Sequence, residues 1–354
     1  MFFGMLFATA SVALAPCTST KCFEWLRPEG RASQIQVYRT YSLRTRNEKI
    51  VRAFVFVHGI LRDADNHFRT ALAGAFLSDA LEDSIIIVPR FASNSNAPGN
   101  ESGDCRDALA PGEANWICDS QRSDTWRSGG TSIDDAKLSS FDVMDEIVRH
   151  LANKQFFPNL RTIVIAGHSA GGQFVIRYAM LNQIQDKIDT DVSYLIANPS
   201  SYAYVDSLRP GPSAVPAKIT VGKQQEPTTP SNFAPAFAPF DSKTCAGYNV
   251  WPYGLKSRPG YSSALPDTQI VRNLATRRVT YLLGEADVLP LGVFDTSCAA
   301  MAQGENRLTR GLAFHRYVTE ALHAHHDAIV VPFCSHSQRC IFTSDAALPL
   351  MFPK

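Results

Sequence analysis

The sequence predicts an α/β fold: a mainly parallel central sheet with helices on both faces, interrupted by two long loop insertions. Three observations carry this. Short, nearly all-apolar runs such as Val51 to Val57 and Ser84 to Val88 read as strands buried on both sides. Helix-period segments alternate with them, as parallel strands joined by crossovers require. Two stretches, about 91–133 and 199–266, break that rhythm with Gly, Pro, Asn and Ser.

Taken in order, Ile35 to Tyr41 alternates like an antiparallel edge strand, and Val51 to Val57 is a stronger strand ending in His58-Gly59. Ala64 to Leu81 follows the helical period, and Ser84 to Val88 is a strand closed by Pro89. Ser139 or Ser140 would cap a helix running to Leu151. The strand Thr162 to Ala166 leads into Gly167-His168-Ser169-Ala170-Gly171, and Gln173 to Leu181 is helical. Val192 to Ala197, Val279 to Leu283 and Ala328 to Phe333 are further strands, with a helix over Asn306 to His323. The expected domain covers 34–354. The first insertion carries Trp116 and Trp126; the second carries Phe237 and Trp251. All four are candidates for an apolar substrate wall, with ordinary loop packing as the alternative.

In a Gly-x-Ser-x-Gly turn between strand and helix, the serine hydroxyl stands clear of the sheet edge. Neutral serine attacks an acyl carbon only when a base removes its proton and a carboxylate orients that base. Ser169, Asp287 and His336 occur in that chain order, each just past an expected strand end. Glu285 and Asp295 compete with Asp287 as the acid. His58, His168, His315 and the 323–326 cluster compete with His336, but sit within or after a helix, beside the serine, or on an earlier strand end. His58 is expected to shape the oxyanion loop instead. The backbone N–H groups of Ala170 and Ile60 are the expected oxyanion donors.

Four segments, Val55-Phe56-Val57-His58-Gly59, Gly167 to Gly172, Leu283-Gly284-Glu285-Ala286-Asp287 and Ser335-His336-Ser337, together resemble the α/β-hydrolase superfamily over about residues 50 to 345. The chain is similar to exported members of fungal or bacterial type. The resemblance implies the fold, the triad, and hydrolysis without cofactor or metal. It departs from that family's usual plan in having two long insertions rather than one cap. The expected reaction is carboxylic ester hydrolysis through an acyl-enzyme, on a small-molecule or polymeric ester. Peptide or amide hydrolysis, or a non-catalytic binding role, are the alternatives.

Composition agrees with an exported globular chain. Of 354 residues 45% are hydrophobic, and 34 Lys and Arg face 33 Asp and Glu, which leaves no electrostatic footprint for nucleic acid. Residues 1–15 resemble a signal peptide without the usual basic start. No other run is long and apolar enough to span a membrane. Eight cysteines suggest four bridges, Cys17–Cys22, Cys105–Cys118, Cys245–Cys298 and Cys334–Cys340, with no zinc-like spacing. Asn100-Glu101-Ser102 is a glycosylation sequon.

Overall fold

The computed structural model describes residues 14–94, 105–119, 122–211 and 235–354. The expected signal segment, apart from its last two residues, and the sequon lie outside them. Ten strands occur among the described residues: β1 (Phe23–Leu26), β2 (Ile35–Arg39), β3 (Arg52–Val57), β4 (Ser84–Pro89), β5 (Thr162–His168), β6 (Asp191–Ala197), β7 (Leu208–Pro210), β8 (Phe237–Pro239), β9 (Arg278–Gly284) and β10 (Asp327–Val331). Eight form one sheet in the order β1-β2-β4-β3-β5-β6-β9-β10. The pairs β1·β2 and β2·β4 are antiparallel; the others are parallel. β7 and β8 make a separate small ribbon from the second insertion.

Side-chain alternation sends successive residues of each central strand into different cores. From β3, Ala53, Val55 and Val57 enter the larger core, whereas Phe54 and Phe56 enter the smaller one on the opposite face. Helices α2 (Ser140–Ala152), α3 (Ala170–Leu181), α4 (Asp267–Thr276) and α6 (Arg307–Ala321) cover the first face. Helices α1 (Ala64–Leu77), α7 (Gln338–Phe342) and α8 (Leu348–Met351) cover the second; α5 (Cys298–Met301) lies in a loop. Ser139 caps α2 through a capping box with Asp142, and Asn306 caps α6 likewise.

Two expectations need correcting. β2 is not the edge: β1 pairs outside it, so the sheet begins before residue 34. Four residues with an exposed-to-buried gradient give no alternation to read. α4 also follows the second insertion directly, where no helix was expected.

The sheet sets the site's position. From β3 the chain steps to β4 on one side, then crosses to β5 on the other, so the strand order reverses at the β3–β5 pair. Parallel strands open a crevice beyond their C-terminal ends at such a reversal. His58-Gly59 leaves β3 there and Ser169 leaves β5 there. All four expected disulfides are present, Cys17–Cys22, Cys105–Cys118, Cys245–Cys298 and Cys334–Cys340, a pattern typical of extracellular proteins. Among the described residues no helix is long and apolar enough to cross a membrane.

Candidate active site

Ser169 is the N-cap of α3 and sits at φ 58°, ψ −118°, a left-handed backbone unusual for a residue with a side chain. Such a conformation costs about 1–3 kcal/mol and persists where its surroundings over-determine it. Those surroundings are tight. A Cβ on Gly171 would overlap the carbonyl of Val57, and one on Gly167 the carbonyl of Gly171. The Ser169 N–H donates to Ala197 O of β6 at 2.9 Å, and its carbonyl accepts from Gln173 N at 3.0 Å.

The three residues expected from their order do meet. The His336 Nδ1 lies 2.7 Å from Asp287 Oδ2, and its Nε2 lies 2.9 Å from Ser169 Oγ. An ionised carboxylate only accepts, so Nδ1 carries the proton, and the Ser169 hydroxyl donates to the bare Nε2. Asp287 is fully buried and Ser169 is 6% exposed. The rival acid Glu285 instead accepts from Phe333 N, and Asp295 accepts from the Tyr253 hydroxyl and Ser297 N. Of the rival bases, His315 pairs with the His326 carbonyl. His168 is buried with its ring centroid 4.7 Å from that of His336. Burial, and next the neighbouring His336, hold it well below the usual histidine range, so it packs on His336 uncharged.

His58 shapes the loop after β3. Its Nδ1–H donates to Gly59 O at 2.8 Å, while Nε2 accepts from Phe91 N at 2.9 Å. Burial lowers its pKa to about 3, so this neutral tautomer persists. Across a trans peptide the N–H points opposite the carbonyl, so holding Gly59 O aims the Ile60 N–H away from His58. Arg62 braces the same loop, donating from NH1 to Ile60 O at 2.7 Å and from Nε to Asp107 at 2.7 Å. Ala170, in the first turn of α3, has no acceptor for its N–H within the helix.

Sequence reasoning missed two residues here. Arg307, buried, reaches the second Asp287 oxygen at 3.3 Å and also donates to Ser200 Oγ and to the carbonyls of Leu291 and Val293. Burial lowers its pKa, and Asp287 opposes that. Asn198, at φ 47°, ties three strand ends together: its Oδ1 accepts from Gly284 N at 2.8 Å and its amide donates to Ser335 O at 3.2 Å, beside His336. The signals were faint: Arg307 lies at the start of an expected helix, and Asn198 follows an expected strand.

Two cavities flank Ser169. One, of about 450 Å3, is lined by Arg127, Gln173, Ser200, Tyr253 and Asp295, with Ile60 and Ala170 at the serine. The other, of about 480 Å3, is lined by His336, His168, Leu61, Leu291 and Ser337. The four expected wall aromatics line neither. Trp116, Trp126 and Trp251 are fully buried in the larger core, and Phe237 packs on Tyr317. Trp126 stacks on Phe91 and touches the edge of His58, while the Trp251 indole N–H donates to Ser128 O. They bind the insertions to the body, and the neighbour of Trp126, Arg127, faces the cavity instead.

The sequence matches the model of the alpha/beta hydrolase family over residues 54–348. No curated protein matches it by sequence. Among solved structures, poly(aspartic acid) hydrolase-1 from Sphingomonas sp. KT-1 is similar at TM-score 0.55 and 18% identity, covering 93% of this chain and 98% of that one. A poly(3-hydroxybutyrate) depolymerase from Bordetella parapertussis is similar at TM-score 0.54 and 17% identity, over 91% and 85% of the two chains. At these identities the likeness speaks for the fold alone. With the family model spanning most of its length, this chain belongs to the alpha/beta hydrolase family.

Proposed function

We propose that the protein is an exported serine hydrolase, one domain with two insertions, that cleaves carboxylic esters through an acyl-enzyme. The observation that carries this is the unbroken hydrogen-bonded chain from Ser169 through His336 to Asp287. In this reading Ser169 Oγ attacks the acyl carbon while His336 Nε2 takes its proton. Asp287, held from its other oxygen by Arg307, keeps the imidazole in the competent tautomer and stabilises its cationic form. The N–H groups of Ile60 and Ala170 receive the charge that develops on the acyl oxygen; each such donor is typically worth about 3 kcal/mol of barrier. His336 then hands its proton to the departing oxygen, and water repeats the sequence to release the acid.

A fluorophosphonate probe tests the reading. Labelling of Ser169 in the folded protein, lost in Ser169→Ala, is the expected result. Folded protein that resists the probe would favour a binding role. Turnover of p-nitrophenyl esters against aminoacyl anilides separates ester from amide chemistry, and hydrolysis of the anilides alone would make the protein an amidase.

A further inference from the structure

The cavity on the His336 side of Ser169 has an apolar wall. Leu61, from the loop after β3, is 75% exposed; Leu291 and Val293, from the loop after β9, are 47% and 40% exposed. Three such side chains around one cavity, rather than scattered singly, mark a binding surface. His168, held neutral by burial, also borders it. The polar groups along the same wall already face one another. Asp63 accepts from Asn66 at 3.0 Å and pairs with His67 at 3.3 Å, and Arg339 donates to Asn66 Oδ1 at 3.4 Å.

The apolar loop is fastened to the same arginine that holds Asp287. Arg307 donates to the carbonyls of Leu291 and Val293 at 2.9 and 3.1 Å, and its guanidinium reaches Asp287 at 3.3 Å. Leu289-Pro290-Leu291-Gly292-Val293 is thus pinned by its backbone beside the reacting groups, while its side chains stay exposed. The proton route says what belongs against them. In the proposed acylation the Ser169 Oγ–carbon bond forms, the bond from that carbon to the alkoxy oxygen breaks, and the oxygen keeps the electron pair. His336 Nε2 then gives that oxygen the proton taken from the serine. The departing oxygen must lie within hydrogen-bond reach of Nε2, so the rest of the alcohol enters the cavity that His336 lines. The other cavity, past Ala170, has no His336 in its wall and carries Gln173, Ser200, Tyr253 and Asp295.

Resting on the esterase reading, we propose that Leu61, Leu291 and Val293 form an apolar leaving-group subsite, so that the preferred substrates are esters of long apolar alcohols rather than of small ones. Binding there takes the carbons of the alcohol and the three side chains out of water together. Because the alcohol departs in the first chemical step, the preference belongs to acylation and is read in kcat/KM. Deacylation, in which only the acyl-enzyme and water react, does not carry it.

The test uses ethyl, butyl and hexyl acetate, with ethyl hexanoate as the isomer of hexyl acetate that carries its chain on the acyl side. Each kcat/KM is divided by the ester's rate with hydroxide to remove intrinsic reactivity. So corrected, hexyl acetate should exceed both ethyl acetate and ethyl hexanoate by about tenfold. Leu61→Ser and Leu291→Ser, both at exposed positions, should each cut the hexyl-to-ethyl acetate ratio by about threefold or more, and Leu61→Met should keep it. The isomer comparison needs no variant, so it stands even where a variant does not fold. A flat response to alcohol length, a preference for ethyl hexanoate, or a ratio that both serine variants leave unchanged overturns the subsite and leaves the esterase reading intact. Turnover of none of the esters also overturns the subsite; if Ser169 then resists fluorophosphonate as well, the esterase reading falls with it.

Discussion

The two flanks of Ser169 are built from different kinds of chain. On the His336 side the groups sit one to five residues beyond strand ends and are bound to one another through backbone: Asn198 joins Gly284 to Ser335, and the Cys334–Cys340 bridge closes a short loop around the imidazole. On the Arg127 side the wall is assembled from remote pieces. Arg127 comes from the first insertion, Gly247 and Tyr253 from the second, and Cys298 from a loop tied to the second by its bridge to Cys245. The difference separates two tasks. In the proposed reaction a proton must travel along hydrogen bonds under 3 Å, which rigid strand ends hold reliably, whereas a wall that only bounds a cavity tolerates looser construction.

Substitutions should expose that contrast in order of size. Ser169→Ala should lower kcat/KM by about 10^4-fold or more, and Asp287→Asn by on the order of 10^4-fold through the wrong imidazole tautomer, both read in steady-state ester assays. Retained activity in either would contradict the assignment. Next come two glycines. Gly171→Ala forces a methyl into the Val57 carbonyl and should cost about 3 kcal/mol or more in urea unfolding. Gly247→Ala on the insertion wall meets nothing within 4 Å and should stay within about 0.5 kcal/mol. Similar penalties at both would erase the distinction between the flanks.

Asn198→Ala removes two hydrogen bonds at the strand ends. It should lower kcat by about tenfold with KM little changed, because it loosens His336 rather than a substrate contact. A rise in KM alone would place Asn198 elsewhere in the mechanism.

The smallest effect concerns how the second insertion is fastened. Asp145 of α2 accepts from Tyr178 of α3 and from Tyr261 of the insertion, and burial raises its pKa from 3.8 to about 6. Its folded pKa exceeds the unfolded one, so the native state binds more protons between about pH 4 and 6. Its contribution is therefore full below that window and is lost as pH rises through it. Thermal unfolding of Asp145→Asn across this window should lack that loss, leaving a steeper gain of stability with pH than in the wild type. Parallel profiles would show that Asp145 does not titrate there.

How much of this was legible beforehand follows from what sequence encodes locally. The meeting of Ser169, His336 and Asp287 was readable because each follows an apolar run and the chain order suggested their pairing. His58 was readable as a loop-shaping residue for the same reason. The nearly all-apolar run from Val51 to Val57 likewise announced a strand buried on two faces. The tryptophans misled because a large ring in a loop has the most surface to gain by burial, so Trp116, Trp126 and Trp251 went into the core. Asn198 and Arg307 carried little signal, since a lone polar residue acquires its neighbours only from what folding sets beside it.

The account depends most on a covalent bond to Ser169. Acid quenching during turnover of a slow ester, followed by peptide mass mapping, should find the acyl group on the peptide that contains Ser169, and on no peptide of the His336→Ala protein. Steady hydrolysis with Ser169 never acylated, or undiminished hydrolysis by Ser169→Ala, would contradict it.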